Sequence, residues 1–297
     1  MAIQFKNKNK KIPIFEIISF VILFTYALSL IVPLSWAFMT SFKGDMEYMI
    51  NRVGWPKKFD FRYDEVFELF HAPISKDGVV DYEGAGIGLM LLNSLWYAVG
   101  TAFVSTSVSF LVGYVVARFK FKFCNVIYTV VILQMIIPTV GTLPSEIAIA
   151  QGPGLYNTVY GMLFMKSYVT GLYFLSFYAA LKVIPKDYVE AAYLDGAGNF
   201  KVMLQIILPM ASGVFATVLL LNFISFWNDY QTPMIYMPGY PTLAYGLYYF
   251  CNVPSEGGKS SIPMQLAGCT LFAVPLLAVF LCFHKKLLGN VSLGGLK

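Results

Sequence analysis

The sequence predicts an all-α polytopic membrane protein with six transmembrane helices, and three features carry that expectation. Hydrophobic residues make up 58% of the 297 and charged residues only 12%, with a mean hydropathy of +0.66. A soluble domain covers its surface with about 25% charged residues, so this chain lacks the polar groups to be one. The apolar residues gather into six runs, and crossing a hydrocarbon core takes about 20 residues at a rise of about 1.5 Å each. Basic residues fall unevenly between the runs, as they do in a chain with a fixed orientation in a bilayer.

The first run, 14–39, follows Lys6, Lys8, Lys10 and Lys11. It exceeds the core of about 7 to 15 residues of a secretory signal and reads as a retained span. The second covers 89–117. The third, 124–143, is disturbed by Pro138 and Pro144, and the fourth, 157–182, carries Lys166 inside it. The fifth covers 209–229 and the sixth 262–283. Residues 1–13 then form a basic tail, 14–284 the membrane domain and 285–297 a second tail. Thirteen Lys and Arg occupy the amino end, the loop at 118–122, the stretch 182–201 and the region after His284. Seven occupy the opposite loops, six of them mixed with nine acids in 40–88. By the positive-inside rule both termini are cytoplasmic, and 40–88, 144–156 and 230–261 lie outside. The segment 40–88 is expected to fold as a small cap on Trp55, Phe59, Phe61, Tyr63, Val66, Phe67, Leu69 and Phe70, or to serve as an aromatic belt at the interface. The net charge of +5 follows from positive loops on one side and gives no reason to expect nucleic acid.

The segment 183–209 is the most informative. It contains Pro185-Lys-Asp-Tyr-Val-Glu190-Ala-Ala-Tyr-Leu-Asp195-Gly196-Ala-Gly198-Asn-Phe and continues to Ile206-Ile-Leu-Pro209. Pro185 suits a first helical turn, and Asp187 and Glu190 favour the positive end of a helix. Gly196 and Gly198 let the backbone reverse. Asn199 is a candidate cap for a second helix, in which Phe200, Met203, Leu204 and Ile207 recur with helical spacing on one face. The segment therefore reads as a helical hairpin whose small Ala191 and Ala192 permit close approach to another protein.

This hairpin resembles the EAA loop of ABC importer permeases, with Glu-Ala-Ala, then Asp-Gly-Ala, then a distal Leu-Pro. Asn222-Phe-Ile-Ser-Phe-Trp227-Asn228-Asp229-Tyr-Gln-Thr-Pro233 is similar to the fifth-span segment of carbohydrate permeases of the maltose type. The tail from Gly289 to Lys297 resembles the glycine-rich end of that family's six-span subunit, with Gly295 where alanine is usual. The resemblance covers nearly the whole chain. It implies the ABC type I importer permease fold and a permease subunit for sugar import by alternating access in a bacterial cytoplasmic membrane. It also implies a second homologous permease, two ATPase subunits, an extracytoplasmic sugar-binding protein and surrounding lipid as partners. No cofactor is expected in this chain, since ATP and Mg would be bound by the ATPase subunits. The coupling role falls on Glu190, Ala191, Ala192, Asp195, Gly196 and Gly198, with Glu190 meeting a basic residue of the ATPase. The outer loop residues Pro254, Ser255, Glu256, Gly257, Gly258 and Lys259 would contact the binding protein, or form only a flexible connection.

Other residues admit competing readings. Gly257-Gly258-Lys259-Ser260 is no P-loop, because Val253 stands where the first glycine belongs. His71 and His284 are isolated, and Cys124, Cys251, Cys269 and Cys282 show no C-x-x-C spacing, so neither a catalytic nor a metal constellation is expected. A charge within a span costs about 2.5 to 3.5 kcal/mol, so Lys166 faces protein or water and becomes a pathway candidate. Gln134, Glu146, Asn222, Trp227 and Asn228 join it, the amides to bond sugar hydroxyls and the indole to stack on a sugar face. The same residues would equally stabilise helix packing. Permeases for a peptide or polyamine share the hairpin and remain an alternative. An intramembrane enzyme lacks its catalytic groups, and an ion-driven carrier lacks paired acids within spans and an internal repeat.

Overall fold

The computed structural model describes residues 14–76, 79–137, 141–169, 171–253 and 261–291. In chain order the elements are α1 (Ile14–Thr40), α2 (Asp45–Ile50), α3 (Tyr63–Leu69), β1 (Ala72–Lys76), β2 (Val79–Ala85), α4 (Ile87–Arg118) and α5 (Lys122–Ile136). There follow α6 (Leu143–Gln151), α7 (Val159–Met165), α8 (Gly171–Val183), α9 (Asp187–Leu194), α10 (Asn199–Val202), a π turn (Met203–Ile207) and α11 (Leu208–Met210). The last four are α12 (Ser212–Trp227), α13 (Gln231–Tyr236), α14 (Leu243–Asn252) and α15 (Ile262–Val291).

The fold is mostly helical, and β1 and β2 correct the all-helical expectation. They pair antiparallel, Ile74 opposite Asp81 and Ala72 opposite Ala85, with an irregularity between Ala72 and Ile74. Ile74, Val79 and Val80 are β-branched residues that favour an extended backbone.

The expected spans survive unequally. α1 and α4, with 27 and 32 residues, are long and apolar enough to cross a membrane, α4 reaching about 48 Å. The run 124–143 is helical only to Ile136, and the run 157–182 divides into α7 and α8 around Lys166. Before α12, the helical segment Asn199–Met210 meets Ser212–Trp227 at 80°. Pro209 disturbs the turn before it: it has no N–H to donate, and its ring crowds the carbonyl four residues back. The preceding turn widens to π geometry, and the Leu208 N–H reaches back to the Met203 carbonyl. Among the described residues, two helices pass as spans by length and composition, or three if the bent pair counts as one.

The chain separates into two compact units. The first comprises 1–64 and 261–270. In it the Phe42 ring meets Phe59, Phe61 and Tyr63 edge-on at 5.3 to 6.0 Å. Lys43 is fully buried, and its Nζ donates to the carbonyls of Asn51 at 3.0 Å and Arg52 at 3.4 Å, where α2 ends. A cation at a helix C-terminus answers the negative end of the helix dipole.

The second unit comprises 65–260 and 271–297 and is organised by α4, along which α8 and α12 pack. The buried side of α4 carries small residues, among them Ser94, Ala98, Thr101, Ala102, Ser105, Thr106, Ser109 and Gly113. Small side chains let helix backbones approach where lipid supplies no hydrophobic drive. A Cβ at Gly113 would stand 3.0 Å from that of Phe177 on α8. The buried Asn222 of α12 donates through Nδ2 to Thr106 Oγ1 at 2.9 Å.

Candidate functional site

The hairpin between α8 and α12 is built by local chemistry. α9 ends in a Schellman motif: the Gly196 N–H donates to the Tyr193 carbonyl at 3.0 Å and the Ala197 N–H to the Ala192 carbonyl at 2.9 Å. Gly196 holds φ of +77°, a left-handed conformation that glycine adopts without a Cβ penalty. α10 then starts at Asn199 with Gly198 as its extended N-cap. Asn199 is therefore not the cap; its Oδ1 instead accepts from the Tyr193 hydroxyl at 2.6 Å, tying the two helices together. Pro185 precedes the helix, which begins at Asp187.

One face of this hairpin belongs to a hydrophobic core. Ala192, Val202, Met203 and Ile207 are buried together with Phe110 and Tyr114 of α4, Phe177 and Leu181 of α8, and Val218 of α12. The face expected from spacing is corrected here. Met203 and Ile207 point inward, but Phe200 is 71% exposed and Leu204 is also exposed, while Val202 takes the inner position. The π turn at Met203–Ile207 departs from the 3.6-residue spacing on which that face is read.

The other face is bare. Glu190, Ala191, Asp195, Gly196 and Gly198 are exposed, beside Tyr188, Phe200 and Leu194, the last 89% accessible. The adjacent alanines thus divide, Ala192 into the core and Ala191 outward. Its inner side is continuous with α4, α8 and α12, and its outer side offers both apolar and acidic groups.

A second group of polar side chains forms around Lys166. The half-buried Lys166 donates through Nζ to Thr232 Oγ1 at 3.2 Å and lies 5.7 Å from the centroid of the Phe226 ring. The backbone N–H of Thr232 donates to Asp229 Oδ1 at 3.0 Å, and the Tyr97 hydroxyl of α4 donates to Asp229 Oδ2 at 2.9 Å. The Glu146 carboxylate accepts from Thr142 at 2.6 Å and from the Tyr236 hydroxyl at 2.7 Å. Those two hydrogen bonds hold the Glu146 carboxyl below the ordinary glutamate value.

The remaining pathway candidates do not share this cluster. Asn222 is occupied by Thr106, and Trp227 is 2% exposed, its indole packed against Phe223 and Phe272. Asn228 is exposed with Nδ2 donating to the Ile224 carbonyl at 2.8 Å, and Gln134 is exposed on α5. Residues 254–259 lie outside the described residues, as do 1–13 and 292–297. Sequence reasoning missed Tyr97, Thr232 and Tyr236. Asp229 sat in plain view in the Trp-Asn-Asp segment, but its partner lies 132 positions away.

Residues 109–287 match the family described as binding-protein-dependent transport system inner membrane component. The diacetylchitobiose uptake system permease protein NgcG of Streptomyces coelicolor is 27% identical, over 94% of this chain and 88% of its own. The galactooligosaccharides transport system permease protein GanQ of Bacillus subtilis is 26% identical, over 94% of each chain. The fold matches a chain of a bacterial ABC transporter involved in the import of the acidic polysaccharide alginate. That match has a TM-score of 0.74 and 21% identity, covering 92% of this chain and 96% of the other. The protein therefore belongs to the family of binding-protein-dependent inner membrane transport components, the membrane subunits of importers.

Proposed function

We propose that this chain is the permease subunit of an ATP-binding-cassette importer for a carbohydrate. Family membership, together with relatives named for sugar uptake that align over nearly their whole lengths, supports that solute class. The observation that carries the mechanism is the hairpin of α9 and α10, whose inner face is core to α4, α8 and α12 while its outer face is bare. A motor seated on that outer face moves the spans through it.

In this reading six spans are formed by α1, α4, α5, the pair α7 and α8, α12 and α15. Both termini are cytoplasmic, which the excess of thirteen basic residues over seven supports. The domain boundaries are those of the sequence: tails at 1–13 and 285–297, an outer cap at 40–88 and the coupling loop at 183–209. Glu190, Ala191, Asp195, Gly196 and Gly198 face the ATPase, with Ala192 holding the hairpin to the bundle. ATP and Mg are bound by two ATPase subunits and not by this chain, which acts as a transporter subunit without an ATPase site. A homologous permease completes the channel, and a sugar-binding protein meets the loop at Pro254 to Lys259. Lys166, Asn228 and Gln134 border the solute path, with Asn222 and Trp227 packed behind it.

The test is Glu190→Arg in the assembled complex. Reversing a charge that becomes buried on docking costs about 2 to 5 kcal/mol, or about 30-fold and more in affinity. Glu190 is exposed in the subunit, so its amount in the membrane is expected to stay unchanged while the ATPase no longer copurifies and sugar uptake falls to background. Normal uptake by the variant would overturn the coupling assignment.

A further inference from the structure

Burial of Trp227 leaves the carbohydrate reading without an accessible aromatic face at the position where the sequence offered one. The rings of Tyr230 and Tyr248 supply it a few residues further on. They stack at 4.6 Å between centroids with only 10° between their planes, and 39% and 37% of the two residues remain accessible. One comes from the turn after α12 and the other from α14, so the stack fixes the mutual orientation of two separate elements.

The surroundings of this pair are held in place. Asp229, the residue before Tyr230, is bound by both the Tyr97 hydroxyl and the Thr232 N–H. α14 buries Leu243, Ala244, Tyr245, Gly246 and Phe250, while Tyr248 and Asn252, one helical turn apart, are exposed. Asn252 and Asn228 are exposed, and each spends its amide nitrogen on a carbonyl four residues back, Tyr248 and Ile224 respectively. That leaves an Oδ1 acceptor on each, Asn228 two residues before Tyr230 and Asn252 one helical turn after Tyr248.

A flat, preoriented aromatic surface edged by amide acceptors is complementary to a sugar. The negative face of the ring attracts the polarised C–H bonds on one side of a pyranose, and the amides take hydroxyl protons at its edge. We propose that Tyr230 and Tyr248, with Asn228 and Asn252, form a carbohydrate subsite on the side of the membrane assigned above as external. This subsite rests on the carbohydrate reading of the preceding subsection. A tyrosine that merely anchors a helix at the lipid interface needs apolar bulk there but no partner ring and no amide rim.

The experiment uses the assembled importer in proteoliposomes, with ATP and its binding protein, and follows uptake of radiolabelled diacetylchitobiose, galactotriose and a tripeptide. Tyr230→Leu and Tyr248→Leu keep apolar bulk and remove the ring, while Tyr230→Phe and Tyr248→Phe keep it. The Leu variants are expected to raise the KM for sugar about 3- to 10-fold with a maximal rate within about twofold of wild type, and the Phe variants to behave as wild type. Unchanged KM in both Leu variants, or Leu variants that fail to assemble, would overturn the subsite alone and mark the pair as structural. Wild-type uptake of the tripeptide and of neither sugar would overturn the carbohydrate reading and the subsite with it.

Discussion

Asn222 illustrates how a polar side chain is used inside an apolar bundle. Its Nδ2 meets Thr106 Oγ1 at 2.9 Å in a fully packed region, and in that setting an unpaired amide or hydroxyl loses its interaction with water without recompense. Asn222→Ala removes one partner and leaves a void, so it is expected to destabilise the subunit by about 1 to 3 kcal/mol, read as a lower melting temperature in detergent. Combining Thr106→Val with Asn222→Leu removes both polar groups and should recover part of the loss; no recovery would show that the hydrogen bond is not what the site contributes. The sequence presented Asn222 as equally a pathway or a packing residue, and only the pairing with Thr106, 116 positions away, separates the two. Trp227 is alike: nothing local reveals that Phe272 covers its indole.

Elements defined by local chemistry were the most legible. The two helices and intervening turn at 187–202 follow from Gly196, Gly198 and the acids of the first turn, because a Schellman ending depends on only a few neighbouring residues. The inner face of α10 was not legible, since the π turn ahead of Pro209 shifts the helical phase that spacing assumes. The hairpin of β1 and β2 carried a signal, Asp77-Gly78 between β-branched residues, that the prevailing helical pattern obscured. Gly196 permits a test at this scale. No atom lies within 4 Å of the Cβ it would acquire, so a substitution there acts on backbone conformation alone. Gly196→Val forces a β-branched residue into left-handed geometry at a cost of about 1 to 2 kcal/mol, whereas asparagine tolerates it. The Val variant is expected to lose ATPase copurification and uptake, and Gly196→Asn to keep both; equal behaviour of the two would separate the turn from coupling.

Across the second unit, loops far apart in sequence are joined by hydrogen bonds that no local pattern announces. Asn157, held at φ of +56°, donates through Nδ2 to the Ser75 carbonyl at 3.2 Å and through its N–H to the Tyr236 carbonyl at 2.9 Å, and its Oδ1 accepts from Gly239 at 2.8 Å. Asn93 and Ser94 of α4 hold the same loop at Pro241 and Leu243. Tyr236 extends the chain of contacts to Glu146, so the joint between α6 and α13 depends on a carboxylate that accepts two hydrogen bonds. The pKa of that carboxyl is depressed in the folded chain, chiefly by Thr142 and then by Tyr236. Its contribution is therefore complete above the unfolded value, about 4.3, and is lost as the pH falls through the lower folded value. Hydrogen exchange on the assembled complex, corrected for intrinsic rates, should show amides of 143–151 and 231–239 losing protection below about pH 4 while the buried part of α4 keeps it. In Glu146→Gln the carboxamide does not titrate, so protection there should be lower at neutral pH and flat on acidification. A wild-type profile that is itself flat over that range would mean that Glu146 does not hold α6 to α13.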